Sequence, residues 1–346
     1  MPSQGQRVGE YLLDAKVGGG AFGEVWRAHH HVWTDQLVAI KIPTQTDYLR
    51  ELQREGVAIH GLVHPNIVRA MGFDPYSDPP YLTMEYVAGT SLRPLIQSKS
   101  LTSDDAVAIM RHVLTGLKCA HANGIIHRDI KPENILVDER AKRNGYGAEG
   151  MVKVTDFGLG KAATTAGAQS IVYSASLHSP QAKEIAGTLD YMAPEQRSAV
   201  GDVDTRADLY ACGVVLYEML TGERPAGTDL PSDVNKDVPK FLDDVFRRSY
   251  SRLEKRFASA DDFLTALSPM APPPVPGSSR MRDPAGSRCP SCHRDIDAHD
   301  QFCIHCGVQL VAHVRRCTRC GAYPDQADHY CIFCGETLAS TQLTVA

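Results

Sequence analysis

The chain has no apolar run near the ~18 residues that a membrane span requires. Its most apolar stretch, Leu209 to Leu220, is interrupted by Gly213 and Glu218, so it reads as a buried core helix and no membrane span is expected. A basic start followed by an apolar block is missing from the N-terminus, and no secretory signal is expected. Neither sign of charge dominates: 36 Lys and Arg face 41 Asp and Glu, a net charge of -5. That balance gives no global electrostatic reason to expect nucleic acid or anionic lipid as a partner. Cysteine is scarce before residue 289, where Cys119 and Cys212 stand alone inside apolar helical patterns and read as small buried hydrophobes.

The other eight cysteines fall between Cys289 and Cys334 as four Cys-x-x-Cys pairs. Thiols paired at that spacing, without an export signal, point to metal binding in a reducing, cytoplasmic setting rather than to disulfides. The length of 346 residues allows about two domains. Proline, glycine and serine dominate residues 269–288, which read as a linker between an N-terminal domain at 9–268 and a cysteine-rich tail at 289–338.

Val8 to Leu13, Val25 to Ala28 and Leu37 to Ile42 read as short strands. Residues 47–62 carry Leu49, Leu52, Val57, Ile59 and Leu62 at helical spacing, with Pro65 expected to end that helix. More strands follow to about Val87. From Thr102 the pattern turns helical. Thr102 and Asp105 form a capping-box pattern, and Val107, Met110, Val113, Leu114 and Leu117 make an apolar stripe. A second long helix is predicted from about Thr205 to Leu220, stopping near Gly222. A strand-rich first part and a helix-rich second part predict an α+β architecture of two lobes with a cleft between them.

Gly18-x-Gly20-x-x-Gly23-x-Val25 lies between two predicted strands. Glycines let a backbone approach phosphates closely, although a plain glycine-rich hairpin gives the same pattern, and the helix that follows a dinucleotide-binding turn is missing. Lys41 ends an apolar strand. It is either a snorkelling tip or a cation for ATP phosphates, held by a carboxylate of the next helix, Glu51 or Glu55. The segment His127 to Asn134, HRDIKPEN, is the most specific. Asp129 is placed to accept a hydroxyl proton or orient the nucleophile, Lys131 to neutralise charge on the moving phosphoryl group, and Asn134 to bind a metal through its amide oxygen. Asp156, in Asp156-Phe157-Gly158, offers a hard carboxylate to Mg²⁺, which prefers oxygen ligands. Phosphoryl transfer needs positioning and charge neutralisation more than covalent chemistry, and this set supplies both.

In this order the residues resemble the eukaryotic-type (Hanks-type) serine/threonine protein kinase family, including its bacterial members, over roughly residues 9–268. The resemblance implies the bilobal protein kinase fold, with a β-rich N-lobe and a helical C-lobe, and ATP with Mg²⁺ as cofactors. It implies that Gly18, Gly19, Gly20, Ala21, Phe22 and Gly23 cover the phosphates and that Val25, Ala39 and Leu136 line the adenine pocket. Met84 becomes the gatekeeper, and Glu85, Tyr86 and Val87 the hinge that receives adenine. Glu55, nine residues before His64-Pro65, is the implied partner of Lys41. Gly187 to Glu195 resembles the segment that closes the activation loop. Asp208 resembles the family's buried helix aspartate behind the catalytic loop, and Arg256 the arginine that pairs with Glu195.

Lys131, two positions after Asp129, and Gly187-Thr188 imply protein serine and threonine hydroxyls as acceptors. Arg128 beside Asp129 implies a regulatory phosphate between Leu159 and Met192, where Thr164, Thr165, Ser170, Ser174, Ser176 and Ser179 are candidates. Thr188 is read as a structural hydroxyl near Asp129 and Lys131. Two features depart from the family pattern. A polar insertion between Val137 and Val152 is expected to lengthen a hairpin near the cleft, and only 48 positions separate Asp208 from Arg256, which shortens the helical region that docks substrates. A nucleotide-binding pseudokinase scaffold is the alternative function, weighed against by the presence of Lys41, Asp129, Asn134 and Asp156.

Residues 289–310 align without gaps on 317–338, a repeat of 28 residues in which the cysteines, Phe302 and Tyr330, and Gly307 and Gly335 coincide. Cys289/Cys292, Cys303/Cys306, Cys317/Cys320 and Cys331/Cys334 fit two four-thiolate sites and resemble a double zinc ribbon. Sequential pairing, one Zn²⁺ per repeat, is the simplest assignment, with crossed pairing as the alternative. The paired spacing favours zinc over an iron–sulfur cluster, and no thioredoxin-like scaffold surrounds the pairs to support redox chemistry. Four thiolates leave no open position, so the ions are expected to be structural. With few large apolar side chains in the tail, metal is expected to supply much of its folding energy. His293, His299, His305, His313 and His329 read as surface residues. Arg288, Arg294, Arg315, Arg316 and Arg319 are offset by acidic neighbours, so nucleic acid is not favoured and a protein partner for the ribbons is expected.

Overall fold

The structure is a computed structural model that describes residues 2–20, 23–43, 49–157, 189–198, 203–268, 287–296, 301–303, 305–310, 316–319, 330–331 and 336–338. The chain divides into two compact units, Met1–Met270 and Ala271–Ala346.

The first unit begins with β1 (Arg7–Val8), β2 (Tyr11–Gly20), β3 (Gly23–His30) and β4 (Leu37–Pro43), followed by α1 (Leu49–Ile59), β5 (Ala70–Asp74) and β6 (Tyr81–Glu85). These strands form an antiparallel sheet in the order β1-β2-β3-β4-β6-β5. In β4 the period of two separates two jobs. Val38, Ile40 and Ile42 enter one apolar cluster with Leu13, Trp26 and Tyr81, whereas Ala39 enters a second with Leu52, Val68, Leu82 and Met84. Lys41 shares the face of Ala39.

Helix α1 departs from the sequence expectation in two respects. Val57 is 69% exposed, while Leu52, Gly56 and Ile59 are buried. Gly56 takes the inward position because a Cβ there would come within 3.2 Å of the Leu82 side chain. Nor does Pro65 end the helix: α1 stops at Ile59, and Gly61 turns the chain at φ +89°. A left-handed glycine ends a helix more abruptly than a proline further on.

The helical part follows with β7 (Gly89–Ser91), α2 (Leu92–Gln97), α3 (Ser103–Ala122), β8 (Ile135–Asp138), α4 (Ala141–Asn144), β9 (Val152–Val154), α5 (Pro194–Ser198), α6 (Arg206–Thr221), α7 (Pro231–Val234), α8 (Phe241–Ser249) and α9 (Ala260–Ala266). Helix α3 starts at the predicted box: Asp105 N–H donates to Thr102 Oγ1 at 3.1 Å, and Thr102 N–H to Asp105 Oδ2 at 3.0 Å. Its stripe of Met110, Val113, Leu114 and Leu117 is fully buried, each side chain stabilising the fold by roughly 1.5–3 kcal/mol. Helix α6 is buried along nearly its whole length and closes on Gly222 at φ +81°.

Strands β7, β8 and β9 form a small antiparallel sheet. The approach of β7 to β8 is close enough that a Cβ on Gly89 would overlap the Val137 carbonyl oxygen. The insertion after Val137 does more than lengthen that hairpin. It carries α4, buries Ala141 and Met151 in the helical core, and packs Tyr146 and Ala148 against it. The tail unit contains the antiparallel pair β10 (Ser287–Arg288) and β11 (Asp295–Ile296).

Candidate active site and metal centre

Strands β2 and β3 place the glycines in a hairpin: Gly18 pairs with Val25, Gly19 with Glu24 and Gly20 with Gly23. A Cβ on Gly23 would sit 2.7 Å from the Ile42 carbonyl oxygen, so β3 lies against β4 only with glycine there. Ala21 and Phe22 lie outside the described residues. Val25, Ala39, Val87 and Leu136 join one apolar cluster with Met84, which brings the expected adenine-lining residues together. Ala39 pairs with Met84 and Val38 with Glu85 across β4 and β6. Glu85 also meets Lys153 Nζ at 3.0 Å.

Lys41 is 5% exposed. A buried ammonium requires an anion, and Asp156 Oδ1 lies 2.6 Å from its Nζ. Asp156 takes φ +63° to reach this position, and Arg128 takes φ +68° in the neighbouring loop. Non-glycine residues seldom adopt that region, and it concentrates at functional sites. Glu55 lies in α1, but its side chain, like that of Glu51, lies outside the described set.

The loop 127–134 is locked from three sides. His127 is fully buried, its Nε2 lies 2.8 Å from the Thr155 carbonyl oxygen, and its Nδ1 accepts the Asp129 N–H at 3.2 Å. These contacts assign the ring proton to Nε2. Its ring packs on Phe157 at 4.5 Å. Asn134 Nδ2 donates to the Asp129 carbonyl at 2.8 Å and to Asp129 Oδ2 at 3.0 Å, while Lys131 Nζ lies 2.9 Å from the same Oδ2. Both donations use Nδ2, so Oδ1 is the amide atom left for a cation.

Asn134 O accepts the Thr155 N–H at 3.0 Å, and Ile135 pairs with Val154. Asn134 and Asp156 therefore flank one end of the β8–β9 pair. Lys41 thus meets Asp156, Asn134 and Lys131 meet Asp129, and the Asn134–Thr155 backbone bond sets the two groups side by side. Buried Asp208 accepts from His127 N–H at 2.9 Å and Arg128 N–H at 2.7 Å, with His121 Nε2 at 2.7 Å. Arg256 forms a fork on Glu195 at 2.5 and 3.0 Å.

A family model described as "Protein kinase domain" matches residues 11–273. The chain belongs to the protein kinase family. A second model, "Double zinc ribbon", matches residues 289–335. The chain is 30% identical over 280 residues to the probable serine/threonine-protein kinase PknB of Lactococcus lactis, covering 75% of this chain and 41% of that protein. It is 35% identical over 308 residues to serine/threonine-protein kinase Pkn1 of Myxococcus xanthus, covering 82% of this chain and 42% of that protein. It spans about two fifths of the length of these relatives. Among solved structures, the PknI kinase domain of Mycobacterium tuberculosis superposes with a TM-score of 0.57 at 25% identity, over 77% of this chain and 98% of that one. Among the described residues, no helix is long and apolar enough to cross a membrane.

The kinase fold gives Asp208 a measurable role. Asp208→Ala leaves a buried and a part-buried backbone amide unpaired, at roughly 1–3 kcal/mol each. Urea unfolding of the variant is expected to show a stability loss of about 3 kcal/mol or more; a loss below about 1 kcal/mol, on the same scale, would show that the amides find other partners.

In the tail, the Sγ atoms of Cys289, Cys292, Cys303 and Cys306 lie within 4.8 Å of one another. Cys289 is 3.6 Å from Cys306, and Cys292 is 3.6 Å from Cys303. This brings the first repeat's four thiols to one point, as sequential pairing requires. The N–H groups of Ser291 and Cys292 both point at Cys289 Sγ, at 3.4 Å. Burial raises the Cys289 thiol, but these amides and the neighbouring thiols outweigh it and bring it down to about 6. At Cys292 the Arg294 amide lowers the thiol, and burial with the adjacent thiols pushes it up to about 12. Four thiols gathered at one point are a soft donor set that suits a thiophilic cation.

The second repeat reproduces the framework. Cys303 N–H donates to Val308 O at 2.8 Å and Cys331 N–H to Glu336 O at 2.7 Å. Phe302 bridges Gln309 as Tyr330 bridges Thr337. Cys317 and Cys331 are buried like Cys289 and Cys303; Cys320 and Cys334 lie outside the described residues. His293 and His305 are exposed, as expected of surface residues.

Proposed function

We propose that the chain is a Mg-ATP-dependent protein serine/threonine kinase with a domain at 9–268, a linker at 269–288 and a structural zinc module at 289–338. The observation that carries the reading is the linked set Lys41–Asp156 at 2.6 Å and Asn134–Asp129–Lys131 at 3.0 and 2.9 Å. Bound Mg-ATP supplies the phosphoryl group and the metal charge. Lys41, with Glu55 as its helix partner, holds the α- and β-phosphates, and the glycine hairpin 18–23 covers them. Asp156 and Asn134 offer oxygen to Mg²⁺. Asp129 orients the acceptor hydroxyl and takes its proton, and Lys131 neutralises charge as the group moves. Val25, Ala39, Glu85, Val87 and Leu136 receive the adenine.

Arg128 Nε is buried with no hydrogen-bond partner among the described residues. A phosphate on the loop after Asp156 would supply the missing acceptor. That supports activation-loop autophosphorylation; the candidates from Thr164 to Ser179, together with Thr188, lie outside the described residues. Two Zn²⁺ per chain follow from the matching repeats, with Cys317, Cys320, Cys331 and Cys334 as the second set. The mixed charge of the tail sequence disfavours nucleic acid and supports a protein as its partner.

Incubation with Mg-ATP and a protein acceptor, followed by phosphosite mapping, tests the reading. Phosphoserine or phosphothreonine on the acceptor and within 159–188 is expected, both lost in Asp129→Asn. ATP binding without transfer would leave a pseudokinase scaffold.

A further inference from the structure

The glycine hairpin carries an ion pair that the nucleotide chemistry does not use. Lys16 Nζ donates to Glu24 Oε1 at 2.6 Å, and Trp26 Nε1 donates to Glu24 Oε2 at 3.2 Å. One carboxylate thus takes a donor from each strand of the hairpin, Lys16 from β2 and Trp26 from β3. The Lys16 contact is the largest influence on the Glu24 carboxyl and holds it below the usual carboxylate range, against the opposing effect of burial.

The pair sits at the end of the hairpin that holds the glycines. Lys16 pairs with Trp26, and Glu24 with Gly19. A Cβ on Gly19 would come within 3.0 Å of Lys16 Cε and 3.3 Å of its Nζ, so the lysine stem lies across Gly19. The period of two puts Glu24 and Trp26 on the face of β3 opposite Val25. Trp26 is rooted in the apolar cluster of Val8, Leu13 and Ile40, whereas Val25 joins Ala39, Met84 and Leu136. Lys16 and Glu24 therefore grip the hairpin from the face opposite those residues. Gly18, Gly19 and Gly20 have no side chains to hold β2 in place, and glycine gives a backbone more freedom than any other residue. The contacts from buried Trp26 through Glu24 to Lys16 supply the anchor that these glycines lack.

We propose that Glu24 is a positioning residue for the nucleotide phosphates: with Lys16 and Trp26 it holds the glycine hairpin over them without touching them. The proposal rests on the reading that this hairpin covers the phosphates of Mg-ATP. Adenosine has no phosphates, and its expected contacts Val25, Ala39, Val87 and Leu136 belong to the other cluster. Its binding should therefore be indifferent to the clasp.

Calorimetric titration of the full chain with Mg-ATP and with adenosine tests this. Lys16 and Glu24 side chains are 47% and 17% exposed, so substitution leaves the core intact. Glu24→Gln removes the charge, and Lys16→Met removes the ammonium but keeps an apolar stem. Each is expected to raise the Kd for Mg-ATP about two- to fivefold, the range a cross-strand ion pair supports, with adenosine changed less than about 1.5-fold. The double variant should bind no more weakly than either single one, because both remove the same contact. Lys16→Arg, which keeps the charge, should bind Mg-ATP like the unaltered chain. Equal losses for the two ligands, or an unchanged Mg-ATP Kd in both single variants, would overturn the proposal. So would additive losses, or tighter Mg-ATP binding by Glu24→Gln, either of which shows Lys16 acting on the phosphates directly. An unaltered chain that binds Mg-ATP no better than adenosine would sink the phosphate-covering reading itself, a result distinct from normal binding by the variants.

Discussion

Asp129→Asn is expected to cut phosphoryl transfer to protein by about 10²–10⁴-fold, the usual contribution of a positioned proton acceptor. The substitution keeps the shape of the side chain and removes its charge. The amide oxygen can keep the Oδ2 contacts with Asn134 Nδ2 and Lys131 Nζ, at 3.0 and 2.9 Å. Its NH₂ then replaces the other oxygen, and a donor there cannot take a hydroxyl proton. The nucleotide side should be spared, because Lys41 is held by Asp156. Initial rates with labelled ATP, set beside displacement of a fluorescent nucleotide, separate the two effects. The expected result is near-normal nucleotide affinity with transfer almost abolished. A rate within about threefold of the unaltered chain would remove Asp129 from the mechanism.

Metal removal should have the largest effect on stability, and it should be confined to the tail. Among the described residues of the tail, the buried ones are Cys289, Cys303, Cys317, Cys331 and Gln301. Among those residues the interior is made almost wholly of the ligands themselves, and the tail sequence has few large apolar side chains to fall back on. Structural zinc supplies about 10–16 kcal/mol in comparable small modules, far more than such a core could. Chelation of the full chain should therefore make residues 289–338 protease-sensitive while the melting temperature of the first unit stays within a few degrees. Elemental analysis should return two zinc ions per chain, and Cys303→Ser should leave one. Protein purified without chelator that holds no zinc, or a tail equally protease-resistant after chelation, would refute this account.

Much of the architecture is legible in local sequence because its causes are local. The capping box at Thr102 and Asp105, the stripe from Met110 to Leu117 and the left-handed Gly222 depend on residues within a few turns of one another. The expected adenine residues Val25, Ala39, Val87 and Leu136 converge as the motif order implies. Helix α1 is less legible. A period-3.6 pattern picks Val57 as apolar, but the face is set by how closely the helix approaches Leu82, whose side chain a Cβ at position 56 would crowd at 3.2 Å. The sequence points to Pro65 as its end, since a proline is conspicuous and the φ of Gly61 is invisible in a sequence.

The amino-acid sequence by itself determined the chemistry: which residues can carry charge, accept a proton, offer oxygen to magnesium or sulfur to zinc, and in what order they come. Tertiary structure decided which of them meet. It paired Lys41 directly with Asp156, anchored the insertion after Val137 into the helical core through Ala141 and Met151, and gathered Arg93, Glu133, Tyr191 and Glu218 around one guanidinium. Those partners lie 40 to 125 residues from Arg93. No periodicity or motif reaches across such separations, because contacts of that kind are fixed by the packing of helices and strands and not by neighbours along the chain.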